Sequence, residues 1–182
     1  MAGHNKWAQI KRQKGKTDAE KSKAFTKFAR LISVEAKKAH GDVNSSGLKT
    51  AIERARAENM PNDSIERAIK KATDQSATME NITYEAYGPG GVAMIIEVLT
   101  DNRNKASQEI RHILTRNGQE LAAIGSATWA FEKSAFGAGA GGASWTPKTT
   151  VELSDAEIQT LQQIVSELES NDDVQVVFTN AE

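Results

Sequence analysis

Basic side chains recur at short intervals through the first 28 residues, and they could bind phosphate. Up to about Thr17 this segment has no apolar stripe that could cover a core, so it gains little by packing on its own protein. It gains more by neutralising phosphates, because each contact releases condensed counterions. We therefore predict a nucleic-acid-binding surface formed by Lys6, Trp7, Lys11, Arg12, Lys14, Lys16, Lys21, Lys23 and Lys27.

The alternative for a lysine-rich terminus is a solvated tail without a partner. Trp7 argues against it, because an exposed indole among basic side chains is a liability unless it stacks on something such as an unpaired base.

The net charge of −1 conceals two regions of opposite sign. Residues 1–40 carry eleven basic and three acidic side chains, whereas residues 81–182 carry six basic and fourteen acidic ones. Such asymmetry is typical of a polyanion-binding end attached to a body with another task. The length of 182 residues allows one domain or two small ones, with enough chain to bury a core.

Several kinds of chemistry lack the residues they need. There is no cysteine, so disulfides, thiolate zinc sites and thiol nucleophiles are excluded, and the three histidines show no ligand spacing. The segment 137–142 matches the letter of a dinucleotide fingerprint, but no helix follows it. We expect no enzymatic activity, metal or cofactor. Without a secretory signal or a membrane-length apolar run, we expect no membrane partner and a cytoplasmic location, or an organelle matrix if a transit peptide was removed.

Helical periodicity dominates the next stretch. An N-cap at Thr17 or Asp18 and a stop at Gly41 delimit a first helix, which continues the basic surface of residues 1–16. A second helix fits Ser46 to about Asn59, and a third begins at the Asn62 cap. We therefore predict a basic arm (1–16), a helical nucleic-acid-binding domain (17–75) and a linker (76–81).

The period then changes to that of strands. The pattern predicts strands at 82–86 and 92–99, a helix closed by Asn117-Gly118, and short strands near 119–124 and 127–133. A Gly/Ala-rich linker (134–147) separates these from a strand at 149–153, a helix capped by Ser154 and a strand at 174–178. Residues 82–133 and 148–182 then form a ferredoxin-like sandwich, and the fold class is α+β.

The segment Gly88-Pro89-Gly90-Gly91 lacks the Gly-Lys-Ser/Thr of a phosphate-binding loop, so a hairpin turn is the simpler interpretation. The alternative is a partner-contacting tip, since glycines let the backbone approach another surface closely. Arg103 and Lys105, at the start of the following helix, are a possible second phosphate contact or a solvated helix end. We include all six residues as a possible secondary contact.

Long motifs throughout the chain resemble the YebC/PmpR family, which includes the mitochondrial translational activator of cytochrome c oxidase. They are Met1–Arg12, Phe25–Phe28, Asn59–Asn62, Tyr84–Val92, Asp101–Asn104 and Asp172–Gln175. The resemblance implies an N-terminal helical domain, α/β domains and no enzymatic activity. It also implies either a DNA-binding transcriptional regulator or a ribosome-associated factor that helps translation through consecutive prolines. Family members usually carry another small α/β domain where this chain has its Gly/Ala linker.

We favour the ribosomal interpretation, because a lysine-dominated arm suits backbone and shape recognition of structured RNA. DNA-specific helix-turn-helix proteins usually offer a recognition helix with base-contacting Arg, Asn or Gln, commonly in a symmetric dimer. Arg54 and Arg56 are weak candidates for that role, and no dimerisation helix is evident. We expect a monomer. An adaptor that uses the acidic half to bind proteins is a third class.

Overall fold

The computed structural model describes Trp7 and residues 18–74, 79–134 and 144–182. Its first unit is a three-helix domain formed by α1 (Asp18–Lys38), α2 (Ser46–Ala57) and α3 (Asn62–Asp74). The helices begin and end within about three residues of the predicted limits. The predicted stop at Gly41 is present, and its backbone adopts φ +83°, a conformation that glycine tolerates without strain. Apolar faces of all three helices meet in one core, made of Ile32, Ala36, Leu48, Ala51, Ile52, Ala55, Met60, Ile65, Ala68 and Ala72.

The second unit is an α/β domain built on a three-stranded antiparallel sheet. In chain order its elements are β1 (Glu80–Tyr87), β2 (Ala93–Thr100), α4 (Arg103–Arg116), β3 (Phe131–Ser134), β4 (Ser144–Pro147), α5 (Asp155–Ser170) and β5 (Val174–Thr179). The order of the strands in the sheet is β1-β2-β5, and β3 pairs with β4 in a separate hairpin. Because β2 is central, it bonds to both neighbours, and all eight of its residues are buried.

The two faces of the sheet are covered differently. Helices α4 and α5 pack on one face against Met94, Ile96 and Val98 of β2. On the other face, Ala93 and Ile95 meet a smaller cluster around Phe131 and Trp145. This arrangement confirms the predicted α+β class, in which a helical domain precedes helices packed on an antiparallel sheet.

Two of the predicted strands are wrong. Residues 119–124 contribute one isolated bridge, from Leu121 to Ala86, and residues 149–153 contribute one, from Val151 to Ala181. The buried carboxylate of Glu85 explains the first difference. It accepts hydrogen bonds from the backbone N–H groups of Gly125, Ala127 and Thr128, at 2.6, 2.7 and 3.0 Å. A chain bonded to a side chain in this way follows a turn and not a strand ladder, so the ferredoxin-like sheet is reduced to three strands.

The predicted Gly/Ala linker is too long at both ends. Ser134 belongs to β3, and residues 144–147 form β4. Trp145 fixes the second strand, because its indole N–H donates a 2.8 Å hydrogen bond to Oε1 of Glu97 on the central strand. The remaining linker residues, 135–143, lie outside the described part of the chain. In that part, no helix is both long and apolar enough to cross a membrane.

The first turn of α5 offers a test of local stability. Ser154 and Glu157 form a capping box, in which the Glu157 N–H donates to the Ser154 hydroxyl at 3.4 Å and the Ser154 N–H donates to Oε2 of Glu157 at 2.8 Å. The Ser154 hydroxyl also donates to Oε2 of Glu157, at 2.6 Å. We expect Ser154→Ala to lower the free energy of unfolding by about 1 kcal/mol, as for other N-cap losses, which urea denaturation followed by circular dichroism would measure.

The effect of this substitution should depend on pH. Hydrogen bonds from the Ser154 hydroxyl and N–H lower the pKa of Glu157 below 4.5. The stabilisation is therefore complete above pH 4.5 and is lost as the pH falls through the lowered pKa. The gap between wild type and variant should narrow on acidification, and a gap that widens would contradict this account.

Candidate nucleic-acid interface

Most of the predicted basic arm lies outside the described residues. Lys6, Lys11, Arg12, Lys14 and Lys16 are in the part of the chain that the structure does not describe. Their role in binding phosphate therefore remains a prediction from sequence.

Trp7 contradicts the expectation of an exposed indole. Its side chain is 7% exposed and belongs to the hydrophobic core of the α/β domain, together with residues of β1, β2, α4, α5 and β5. The large apolar surface of an indole is more stable there than in water. A buried ring cannot stack on a base, so the assignment of Trp7 as a stacking platform is corrected to a structural role.

The three predicted lysines of α1 lie in different environments. Lys21 and Lys23 are exposed, and Lys21 lies 3.5 Å from Asp18 in a surface pair that leaves it open to solvent. Lys27 is half-buried and its ammonium donates a 2.8 Å hydrogen bond to the backbone carbonyl of Glu169, in the last turn of α5. Burial lowers the pKa of Lys27, while the charges of Glu169 and Asp172 partly oppose this effect. Lys27 is thus engaged by the α/β domain and is not a free phosphate contact in this conformation.

Arg30, one turn further along α1, makes contacts that the sequence analysis missed. Its guanidinium donates to the carbonyl of Leu99 at 3.3 Å and forms an ion pair with Asp173. The other carboxylate oxygen of Asp173 accepts a 2.9 Å hydrogen bond from the hydroxyl of Thr100. The sequence offered one signal for this network, the adjacent pair Asp172-Asp173: Asp172 is exposed and Asp173 is buried.

The segment 88–91 is a tight turn that folds onto α5. Gly88 is buried, whereas Gly90 and Gly91 are exposed with φ of +66° and +78°. A Cβ atom on Gly90 would lie 2.5 Å from Cδ2 of Leu153, but one on Gly91 would meet nothing within 4 Å. Pro89 begins the turn. Only the Gly90-Gly91 side of this turn is therefore open to a partner.

Arg103 and Lys105 do not join this turn in one surface. The turn precedes β2 and the two cations follow it, so the length of an eight-residue strand, roughly 25 Å, lies between them. Both cations are exposed, and Lys105 lies 3.8 Å from Glu109. Arg103 and Lys105 lie instead at the end of β2, near the bond between Thr100 and Asp173. The Thr100 hydroxyl also accepts a 3.0 Å hydrogen bond from the N–H of Asn102, the N-cap of α4, and this bond holds the start of α4 there. This is the end of β2 at which Arg30 of the helical domain contacts the carbonyl of Leu99.

The charges follow the domain boundaries. Residues 1–17 carry five basic and no acidic side chains, and residues 18–74 carry twelve basic and nine acidic ones. Residues 79–182 carry six basic and fifteen acidic side chains, a net charge of −9. Among the described residues, no group of three or more His, Asp or Glu side chains is placed to hold a metal ion.

The fold and the charges define a two-domain α+β protein with a basic helical end and an acidic sheet-containing end. The chain belongs to the TACO1/YebC family: residues 5–75 match the model of the TACO1/YebC N-terminal domain, and residues 79–138 and 140–181 match that of the second and third domain. This agrees with the resemblance found in the sequence. The break between the two matched segments falls within the Gly/Ala-rich stretch.

Individual relatives agree with the family match. A probable transcriptional regulatory protein of Thermoanaerobacter pseudethanolicus is 38% identical over 239 aligned residues, covering 100% of this chain and 97% of that protein. A protein of the same description from Petrotoga mobilis is 42% identical over 186 residues, covering 100% of this chain and 71% of that one. A conserved hypothetical protein of Aquifex aeolicus, Aq1575, has a similar crystal structure, with a TM-score of 0.83 at 31% identity over 97% of this chain and 96% of that one.

Proposed function

We propose that the protein is a non-enzymatic regulatory factor that binds nucleic acid, and that it associates with ribosomal RNA to relieve stalling at proline-rich sequences. The observation that carries the nucleic-acid part is the separation of charge. The first 74 residues have a net charge of +8 and the α/β domain has −9. A polyanion is attracted to the first region and repelled by the second, so the charges orient the protein on its partner.

The preference for RNA over DNA comes from the kind of cations available and from the family resemblance. Lys21 and Lys23 are exposed on α1 and continue the lysine-rich arm. Lysine is a point charge that suits phosphate contacts more than base edges. On α2, the Nε–H of Arg56 already donates to Oδ1 of Asn62 at 3.2 Å, which weakens its candidacy for reading bases. Since Trp7 is buried, the proposal rests on electrostatics and no longer on base stacking.

A DNA-binding transcriptional regulator is the second candidate. The relatives from Thermoanaerobacter and Petrotoga are named as probable transcriptional regulatory proteins, and this name favours the second candidate. Both candidates use the same basic surface. They differ in whether binding depends on base sequence in duplex DNA.

The Gly/Ala-rich stretch bears on how much of the family's function this chain retains. The Thermoanaerobacter alignment covers 239 positions although this chain has 182 residues, so the relative carries residues that face gaps here. We propose that the Gly/Ala stretch replaces an inserted domain, and that any activity of that domain is absent. We also propose a cytoplasmic or organelle-matrix monomer without a cofactor.

Ribosome co-sedimentation tests the proposed function. We expect wild type to sediment with ribosomes at low salt and a Lys11/Arg12/Lys14/Lys16→Ala variant to lose most of this binding. Each lost phosphate contact should reduce the slope of log affinity against log salt by about one unit. A duplex DNA shift assay run in parallel should show weak binding without sequence preference.

The matched control removes four exposed cations elsewhere, in a Lys49/Arg111/Lys133/Lys148→Ala variant. It has the same net charge as the arm variant, and we expect it to keep most ribosome binding. Equal losses in both variants would show that total charge, and not the arm, drives binding. Absence of ribosome binding together with sequence-selective DNA retardation would replace the ribosomal proposal with the transcriptional one.

A further inference from the structure

The helical and α/β domains meet through polar groups that converge on one place. Their hydrophobic cores form separate clusters among the described residues, with Trp7 belonging to the second. Between them, Lys27 and Arg30 of α1 reach the last turn of α5, the end of β2 and the start of β5. Domains that meet through polar contacts of this kind are expected to move relative to one another, and these contacts favour the closed arrangement.

The Arg30 contact is an ion pair in which the α/β domain supplies the carboxylate and the helical domain supplies the guanidinium. The guanidinium of Arg30 is about a quarter exposed, at 23%, and Asp173 is 7% exposed at its side chain. Asp173 is fixed within its own domain, since its N–H donates to Oδ1 of Asn171 at 2.9 Å and its carboxylate accepts from Thr100. The carboxylate of Asp173 is therefore held in place by its own domain whether or not Arg30 binds it. Arginine binds carboxylate and phosphate by the same planar donor geometry.

The Lys27 contact extends this acidic site. Glu169 lies in the last turn of α5, where carbonyl groups point out of the helix and the helix dipole is negative. The Lys27 ammonium donates to the Glu169 carbonyl at 2.8 Å, and the exposed carboxylate of Asp172 lies close enough to favour the charged ammonium. Lys27 and Arg30, one turn apart on α1, thus bind a carbonyl and a carboxylate of the α/β domain. These oxygens occupy the donors that would bind phosphate oxygens.

We propose that this contact is an autoinhibitory latch: the acidic junction of α5 and β5 occupies Lys27 and Arg30, and a nucleic-acid phosphate competes for them and opens the domains. The proposal rests on the proposed function. In the open arrangement Lys27 and Arg30 join Lys23, four residues before Lys27 and seven before Arg30, on one face of α1. Polyanion binding shifts the population toward the open arrangement because that arrangement offers it two more cations.

The latch makes a prediction that a purely structural salt bridge does not. Asp173→Asn keeps an oxygen for the Thr100 hydroxyl but removes the charge that holds Arg30. We expect it to open the domains and to bind purified ribosomal RNA about fivefold more tightly or better, which is the lower end of usual coupling between sites. If the Arg30–Asp173 pair had only a structural role, Asp173→Asn would destabilise the fold. Its binding of ribosomal RNA would then be unchanged or weaker.

Two variants provide the controls. Glu132→Gln changes the net charge equally but removes an exposed carboxylate on β3, outside the acidic junction of α5 and β5, so its effect should be small. Arg30→Met should open the domains as Asp173→Asn does, yet with a smaller gain in RNA binding, because opening then releases Lys27 but no arginine. It also tests the latch from the other domain if Asp173→Asn folds poorly.

Domain opening can be measured directly, since the chain has no native cysteine to interfere with labelling. Spin or fluorescent labels at Glu66→Cys on α3 and Gln159→Cys on α5, both exposed positions, report the separation of the domains. We expect a longer and broader distance distribution in Asp173→Asn and Arg30→Met without RNA. We expect the same change in wild type on addition of ribosomal RNA.

The outcomes separate the latch from the proposed function. Unchanged distances in Asp173→Asn, or opened domains in that variant without tighter RNA binding, overturn the latch. If the domains open in the two variants but wild type binds no ribosomal RNA at low salt, the proposed function is overturned. Heparin, a generic polyanion, then replaces ribosomal RNA in the test of the latch. Opening by heparin supports the latch, and no response to heparin overturns it.

Discussion

Glu85→Ala is expected to lower the free energy of unfolding by about 3 kcal/mol or more. The carboxylate of Glu85 is 4% exposed and accepts hydrogen bonds from the N–H groups of Gly125, Ala127 and Thr128. Without it, three backbone donors lose their acceptor, the Ala127 donor in a buried bond and the Gly125 and Thr128 donors in partly buried ones; a buried donor left unsatisfied costs roughly 1–3 kcal/mol. The total is limited because the loop can open and bind water.

The same substitution should release the loop that follows α4. Trp129, 58% exposed, donates its indole N–H to the hydroxyl of Tyr87 at 3.1 Å, and that hydroxyl donates to the carbonyl of Ser126. Urea denaturation followed by circular dichroism gives the stability, and hydrogen exchange of the 122–128 amides gives the local effect. Glu120→Ala, at an exposed carboxylate on the same loop, is the matched control. Equal stabilities for the two variants would contradict the role assigned to Glu85.

Trp7→Ala is expected to cost about 3–5 kcal/mol, the usual range for removing a buried aromatic side chain. The indole is 7% exposed within the α/β core, so the loss should appear in the unfolding of that domain and not in the helical one. Trp129→Ala removes an indole that is 58% exposed and should cost much less. Far-ultraviolet circular dichroism during urea denaturation would measure both.

This substitution also decides between the two roles considered for Trp7. A core residue gives lower stability in the absence of nucleic acid. A stacking residue gives unchanged stability with weaker binding of ribosomal RNA. A Trp7→Ala variant as stable as wild type that binds RNA poorly would restore the stacking role and contradict the burial in the structure.

The sequence predicted the regular elements best where their patterns are local. The helices of the first domain follow from periodicity and end signals such as Gly41, and β1 and β2 follow from alternation and a buried apolar run. Residues 119–124 were predicted to form a strand, but a distant side chain holds the residues that follow them in a turn. Glu85 captures the backbone donors of 125–128, and nothing in the local pattern of either segment reveals that contact.

The candidate interface was less predictable, because its geometry depends on contacts between distant parts of the chain. Trp7 was predicted to be exposed from its basic neighbours, although its burial site is assembled from elements up to Ala181. Lys27 was grouped with Lys21 and Lys23 by composition, yet α5 lies close enough to bind it. Asp173 is buried next to the exposed Asp172, but the cation that it binds comes from α1, more than 140 residues earlier, and could not be inferred from the local sequence.

The burial of Trp7 has a consequence for the order in which the protein forms during synthesis. The helical domain draws its core from residues 32 to 72, so it can fold soon after those residues leave the ribosome. The α/β core needs both Trp7 and Ala181, the one made early and the other last. At roughly 5–20 residues per second, the nascent chain carries an unburied indole for on the order of 10–35 seconds. Until β5 has been made, that indole lacks the complete core in which it is finally buried.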